Sequence, residues 1–328
     1  MYRMTYDITI GDQRVRLLEK VVVKRSVENL ADTATIYLPA YHLGRPLSLL
    51  DAAGKEPIQE GDKVSIAFGY DGNNQAEFAG YVDDIYIGKD GIEIRCMDTL
   101  WLFKNTSVKD NTLKAPKLKD ILEEICPQVS PDIMIDCSYD IGYSTFVIRK
   151  ATAYDVLTKI HEEIKADIYF CENTLHLHPP YSNMNEGVAS LNFSKNIETS
   201  DLKYVREKDR KIEVEIVIKD KKGQDQKITA GNTGGKKITL RGLSEDPKEA
   251  AERAQKEFEA RSLDSYEGSV TGWLLPYVEP DMAVQIFDND LPERNGKYYV
   301  VATETTFSKS GGQRKITLGH RLDAKKKK

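Results

Sequence analysis

Apolar and polar residues alternate along several short stretches of the first hundred positions, the period-two signature of strands with one buried face. In ADTATIYLP, Ala34, Ile36 and Leu38 share one face while Thr33, Thr35 and Tyr37 share the other. GDKVSIAF brings Val64, Ile66 and Phe68 together, and IEIRCMD does the same with Ile92, Ile94 and Cys96. Between them lies GYDGNNQAEFAGYV, residues 69–82, where Gly80 within a strand predicts a bulge or a bend in a closing sheet. Short strands joined by Gly/Asp turns predict a small barrel or sandwich.

Near residue 105 the period changes. Leu118, Ile121, Leu122 and Ile125 form a helical stripe that Pro127 is expected to close. A second helix is expected to open at Thr152, an N-cap with Asp155 three residues on, and to turn Val156, Leu157, Ile160 and Ile164 inward. ADIYFCEN and TLHLHPP read as two strands with a turn at 172–174, so this section is α+β. Strands return after about residue 200 with KIEVEIVIKD and KKITLRGL. Asp246, Pro247 and Glu249 then signal a helix start, with Ala250, Ala251, Ala254 and Phe258 as a narrow apolar face. The remainder is again β. The expected organisation is a first β domain over 1–105, an α+β middle over 106–199, and a second β domain over 200–328 with an inserted helix near 247–262.

The last stretch echoes the first. DKVSIAF, FAGYV and IEIRCMD have counterparts in MAVQIF, NGKYYV and KITLGHR, in the same order with Gly-rich turns between. A length of 328 residues fits two or three domains. No run of eighteen apolar residues appears and the opening lacks a signal-peptide core, so neither membrane insertion nor export is expected and synthesis is cytoplasmic. Net charge is −5; four of the positive charges lie in Lys325–Lys328, read as a solvated tail, so the remainder stands at −9. An acidic body argues against sequence-specific nucleic-acid binding. Cys96, Cys126, Cys137 and Cys171 lie in apolar runs without a C-x-x-C pair, as reduced core cysteines do. Trp101 and Trp273 also lie in apolar stretches and are expected in the core.

The chemistry-bearing motifs are weak. Asp71, Asn73 and Gln75 have calcium-loop spacing, but Ala76 and Val82 occupy the required Gly and Glu positions. AGNTGGKK fails as a phosphate loop at Ala230 and Lys237 and reads as a Gly-rich hairpin tip. His176 and His178 fall on one face of a strand, a metal-ligand geometry, yet spacing identifies no third ligand; His161 on the preceding helix is only a candidate. Asp83/Asp84, Glu123/Glu124 and Glu162/Glu163 do not project together as catalytic carboxylate pairs would. Neither a nucleophile elbow nor a reactive-cysteine setting is present. The residues assign no catalytic, cofactor-binding or metal site, and no enzyme activity is expected.

The ordered series GDKVSIAFGY, EFAGYVDDI, IEIRCMD, TAYDVLTKIHEEIKADIYFCENTLHLHPP, then SEDPKEAAERAQKEFEARSLDSYEGSVTGWLLPYVEPDMAVQIF and NGKYYVVATETTFSKSGGQRKITLGHRL, resembles the late-control-protein-D-like family. These are baseplate hub proteins of contractile phage tails, also seen as the hub portion of type VI secretion spike proteins. The resemblance spans nearly the whole chain. It implies a β-rich α+β fold with two similar small β-barrel domains separated by α+β material, and a homotrimer whose six barrels form a pseudo-sixfold ring. It implies a structural role in a virion or phage-like contractile injection particle, joining the tail tube protein to a central spike among other baseplate components. Since the chain ends at Lys328 without an appended spike, a separate spike polypeptide is expected. Where relatives commonly have Pro-Gly, this chain has Pro280-Asp281. Two other readings stay open: a tail-tip adhesin or carbohydrate-binding protein using exposed aromatics such as Trp101, Trp273 or Tyr277, and a tail-associated cell-wall hydrolase.

Overall fold

A computed structural model describes residues 3–323 except 40, 43–44, 47–57, 90, 172, 183–186, 220–223 and 243–245. Residue 172 of the expected 172–174 turn and the Lys325–Lys328 tail lie outside the described residues. Strands of four or more residues are numbered here. The first β module comprises Met4–Ile10 (β1), Lys20–Ser26 (β2), Thr33–Pro39 (β3), Lys63–Tyr70 (β4), Asn73–Ile87 (β5) and Gly91–Met97 (β6). Alternation predicted their faces correctly: Ala34, Ile36 and Leu38, then Val64, Ile66 and Phe68, then Ile92, Ile94 and Cys96 are all buried in one core. The 69–82 stretch is a hairpin. Asp71 and Gly72, both at positive φ, form its two-residue turn between the paired Tyr70 and Asn73.

Gly80 is not itself the bulge. The unpaired residues of β5 are Glu77, between the Ile66–Phe78 and Ala67–Ala76 pairs, and Asp83, opposite β6. Gly80 instead permits close backbone approach, because a Cβ there would stand 2.2 Å from the Met97 carbonyl oxygen.

The middle section holds Leu100–Lys104 (α1), Asn111–Lys114 (β7), Leu118–Val129 (α2), Met134–Cys137 (β8), Thr145–Ile148 (β9), Ala153–Ile164 (α3), Asp167–Cys171 (β10) and Thr174–His178 (β11). The stripe of α2 is buried as expected, but Pro127 lies within the helix, which runs two residues further. In α3, Thr152 and Asp155 form a capping box, with the Asp155 N–H donating to Thr152 Oγ1 at 3.1 Å. Both helices pack on a three-stranded sheet ordered β8-β11-β10.

The remaining elements are Val188–Asn192 (β12), Ile197–Ser200 (β13), Ile212–Lys219 (β14), Asp225–Gly231 (β15), Lys236–Arg241 (β16), Pro247–Arg261 (α4), Ser269–Trp273 (β17), Ala283–Phe287 (β18), Gly296–Ser308 (β19) and Gly311–Arg321 (β20). A separate sheet ordered β15-β14-β16 carries α4 on the Val214/Ile216 face. Because β14 separates β15 from β16, the Gly-rich stretch near 231–235 is a crossover over the end of β14, not a hairpin tip. Gly235 passes so close to Lys211 that a Cβ would meet its carbonyl carbon at 2.6 Å. The α4 N-cap is Asp246, accepting from the Lys248 N–H at 2.8 Å, with Pro247 in the first turn. Ala250 and Ala254 are buried as expected, whereas Ala251 is exposed and Glu257 takes an inward position.

The internal echo has a structural counterpart. In the first module the strands are ordered β2-β3-β6-β5-β4-β1; in the last, β13-β17-β20-β19-β18-β12. Ranked by position within each module, both read 2-3-6-5-4-1. One pairing differs: β1 is antiparallel to β4, but β12 runs parallel to β18. Residues 201–268 are an insertion between the second and third strands of the last module.

Among the described residues the two modules belong to one 15-stranded sheet with no closed ring of strand pairings. They join where β19 pairs antiparallel with β2, from Ala302–Ser26 to Ser308–Lys20. Phe307 and Leu274 thereby complete the first module's core, with Phe307 stacked 5.1 Å from Phe68. The fold is β-rich α+β.

Candidate functional site

A cleft of about 260 Å³ lies between the middle section and the seam of the two β modules. One wall is a charge network. Arg25 on β2 contacts Asp32 at 3.0 Å and Glu279 at 2.8 Å, and donates to Tyr277 Oη at 3.2 Å. Burial opposes the Arg25 charge, but Asp32, Tyr277 and Glu279 outweigh it, so its pKa lies above the ordinary value. Asp32 spans the β2–β3 turn, accepting from the Ser26 N–H, and its own N–H donates to Asp98. Burial, followed by the neighbouring Asp32, pushes the Asp98 carboxyl up to about 8.

Behind this wall Glu77, turned inward by its bulge, meets Arg314. The pair is bidentate, at 2.6 and 3.1 Å, and Arg314 also donates to the Val278 carbonyl and Thr305 Oγ1. Its guanidinium lies over the Tyr277 ring, 4.8 Å from the centroid. Burial raises the Glu77 pKa against the pull of Arg314.

The other wall comes from the β8-β11-β10 sheet. Parallel pairing sets Asp136 beside His176, and antiparallel pairing sets Tyr169 beside it on the far side. Leu175 and Leu177 point to the helices, so His176 and His178 occupy the opposite face, as the two-residue spacing predicted. His176 Nδ1 is 3.0 Å from Asp136 Oδ2, and His178 Nε2 is 3.3 Å from the same oxygen. His178 is 1% exposed, with Nδ1 2.6 Å from Ser138 Oγ. Burial lowers the His178 pKa, with Asp136 working the other way.

Asp136 was the ligand-type residue that spacing could not reveal: it lies 40 residues upstream and arrives only through a parallel register. His161 does not join. Its Nδ1 bonds the Ala166 carbonyl at the end of α3.

The two walls meet at Asp281. This residue has φ +69, the left-handed region that Gly favours and Asp tolerates better than most. Its carboxylate accepts from Tyr169 Oη at 2.8 Å and Tyr299 Oη at 3.2 Å, linking the middle sheet to the last module. The Pro280-Asp281 departure therefore keeps the turn and adds two hydrogen bonds.

Elsewhere, the acidic pairs mostly face cations: Asp83 meets Lys104, Asp84 meets Arg95, Glu123 meets Lys119 and Glu163 meets Arg241. Cys96 and Cys126 are buried thiols pushed up to about 12 by desolvation, while Cys171 is exposed, contrary to expectation. Trp273 is also not a core residue, being 53% exposed; it ends a strand whose next inward residue is Leu274. Trp101 is half-buried and stacked on Tyr81. A larger cavity, about 850 Å³, mixes Lys203, Arg210 and Lys237 with Glu28, Asp209 and Glu267. Among the described residues no helix is long and apolar enough to cross a membrane.

No protein-family model matches the chain, and no curated protein sequence matches it. Solved structures do. The chain is similar to a 43 kDa tail protein of prophage MuSo2 from Shewanella oneidensis, with TM-score 0.68 and 16% identity over 97% of this chain and 98% of that one. It is similar to a tail protein from Neisseria meningitidis MC58, with TM-score 0.69 and 14% identity over 97% of each chain. It is also similar to the E. coli c3393 protein, a type VI secretion component described as resembling T4 tail proteins gp27 and gp5. There the TM-score is 0.58 and identity 8%, over 98% of this chain and 77% of that one. The chain shares the fold of these proteins along nearly its full length.

Proposed function

We propose that the chain is a structural hub of a phage tail or phage-like contractile injection particle. Three copies form a ring that docks the tail tube on one side and the central spike on the other. The observation that carries this reading is the strand order 2-3-6-5-4-1 in both β modules of one chain. Three such chains present six similar modules, each one barrel-like wall of the ring, to a sixfold partner while retaining threefold symmetry toward a spike. The full-length likeness to tail proteins and to a type VI secretion component supports the same reading. Tyr86 and Ile87, each 62% exposed on β5, offer an apolar edge for a neighbouring subunit or tube ring.

The role is mechanical rather than catalytic. The first module's core needs Phe307 and Leu274, and Glu77–Arg314 ties the modules at depth, which suits a part that transmits force without hinging. Cryo-electron microscopy of the protein mixed with its tube protein tests the reading. Threefold rings with six similar peripheral densities seated on tube ends are expected; isolated chains that never engage the tube would contradict it.

A further inference from the structure

We propose that Asp136, His176 and His178 bind one divalent transition-metal cation of the zinc class. Their facing atoms form a compact triangle: Asp136 Oδ2 to His176 Nδ1 is 3.0 Å, Asp136 Oδ2 to His178 Nε2 is 3.3 Å, and the two ring nitrogens are 3.3 Å apart. Ligand atoms at tetrahedral angles around zinc, with bonds of about 2.0–2.1 Å, stand roughly 3.3–3.4 Å from one another. The triangle thus already has nearly the size of one face of a zinc tetrahedron. These are also the only grouped metal-ligand side chains of this kind among the described residues.

The surroundings orient the ligands. When His178 donates Nδ1–H to Ser138 Oγ, 2.6 Å away, the Nε2 lone pair is left facing Asp136 and His176. Asp136 Oδ2 and His178 Nε2 are then both acceptors in contact, an arrangement that a shared cation satisfies together. Tyr169 stacks on His176, with centroids 5.0 Å apart and planes 12° from parallel, fixing that ring. Asp136 and His176 line the cleft, so solvent can enter and supply a fourth ligand.

Two imidazoles and one carboxylate select zinc or a similar borderline ion over Mg²⁺ and Ca²⁺, which favour oxygen-only shells. Bound there, the ion would cross-link β8 to β11 directly beneath the Tyr169–Asp281 bond to the last module. This proposal does not depend on the hub reading.

The test uses the full chain, stripped with a chelator and titrated calorimetrically with ZnCl₂. One Zn²⁺ per chain with Kd below about 10 μM is expected, with no comparable binding of Mg²⁺ or Ca²⁺. Asp136→Asn and His176→Gln should each weaken binding at least about tenfold, and Ser138→Ala by about ten- to a hundredfold through loss of orientation. Co²⁺ loading of the unaltered protein provides a readout independent of variant folding, the expected result being the intense visible absorption of a tetrahedral site. Absence of saturable one-to-one binding below that limit, a weak octahedral Co²⁺ spectrum, or binding unchanged in folded Asp136→Asn and His176→Gln proteins would each overturn the proposal.

Discussion

Arg314 on β20 grips Glu77 on β5 through two hydrogen bonds, at 2.6 and 3.1 Å, although the residues are 237 apart in sequence. Both side chains are almost wholly buried, so each charge depends chiefly on the other. Glu77→Ala and Arg314→Ala should each cost about 3–5 kcal/mol by stranding a buried charge. The double replacement Glu77→Leu with Arg314→Met should recover much of that loss. Urea unfolding of the four proteins checks this; single variants as stable as the parent would show that the pair is not buried as described.

Phe307 fills the first module's core from the last module, stacked on Phe68 and edge-on to Tyr6. Phe307→Ala should destabilise by about 3–5 kcal/mol. The isolated 1–105 segment, lacking Phe307 and Leu274, should show the collapsed proton spectrum of an unfolded or molten chain. A well-dispersed spectrum would mean that the first module is self-sufficient.

These two residues mark the limits of what the sequence disclosed. Strand faces, the Thr152 cap with Asp155 and the presence of Gly/Asp turns between strands were legible because alternation, caps and turn residues act over a few positions. The repeat of module order was visible as an echo in pattern. The location of the bulge at Glu77, the strand exchange that sends Phe307 into the other module, and the arrival of Asp136 beside His176 were not legible. Each depends on a pairing register between distant segments, which local periodicity does not encode. Trp273 misled for a related reason: an apolar run at a strand end does not say which side of it a neighbouring strand will cover.

His320 is neutral in the fold at mildly acid pH. Burial, helped by Arg210, lowers its pKa to about 4, against 6.5 for an ordinary imidazole, and its Nδ1 has no hydrogen-bond partner among the described residues. As pH falls below about 6.5 the unfolded chain takes up a proton that the folded one refuses until about 4. Stability should therefore be full above 6.5 and decline across that window, by about 1–3 kcal/mol for a partly exposed ring. His320→Phe should flatten this part of the pH profile, measured by denaturant titration at pH 4.5 and 7.5. An unchanged slope in the variant would assign the acid sensitivity elsewhere.

Asp281 combines a left-handed backbone with two tyrosine hydrogen bonds. Asp281→Gly keeps the backbone freedom and loses the bonds, so a cost of about 1–3 kcal/mol is expected. Asp281→Ala should cost more, because it adds backbone strain. Equal thermal stabilities for the two variants would contradict a role for the positive φ.

The hub reading turns on one chain presenting two like modules to a ring of three. Sedimentation equilibrium of the purified protein at tens of micromolar, the order at which weak subunit contacts assemble, measures this most directly. A mass three times 37.1 kDa is expected for the protein alone, or, where assembly needs the spike protein, three copies of this chain plus the bound spike after its addition. A species that remains at 37.1 kDa under both conditions would contradict it.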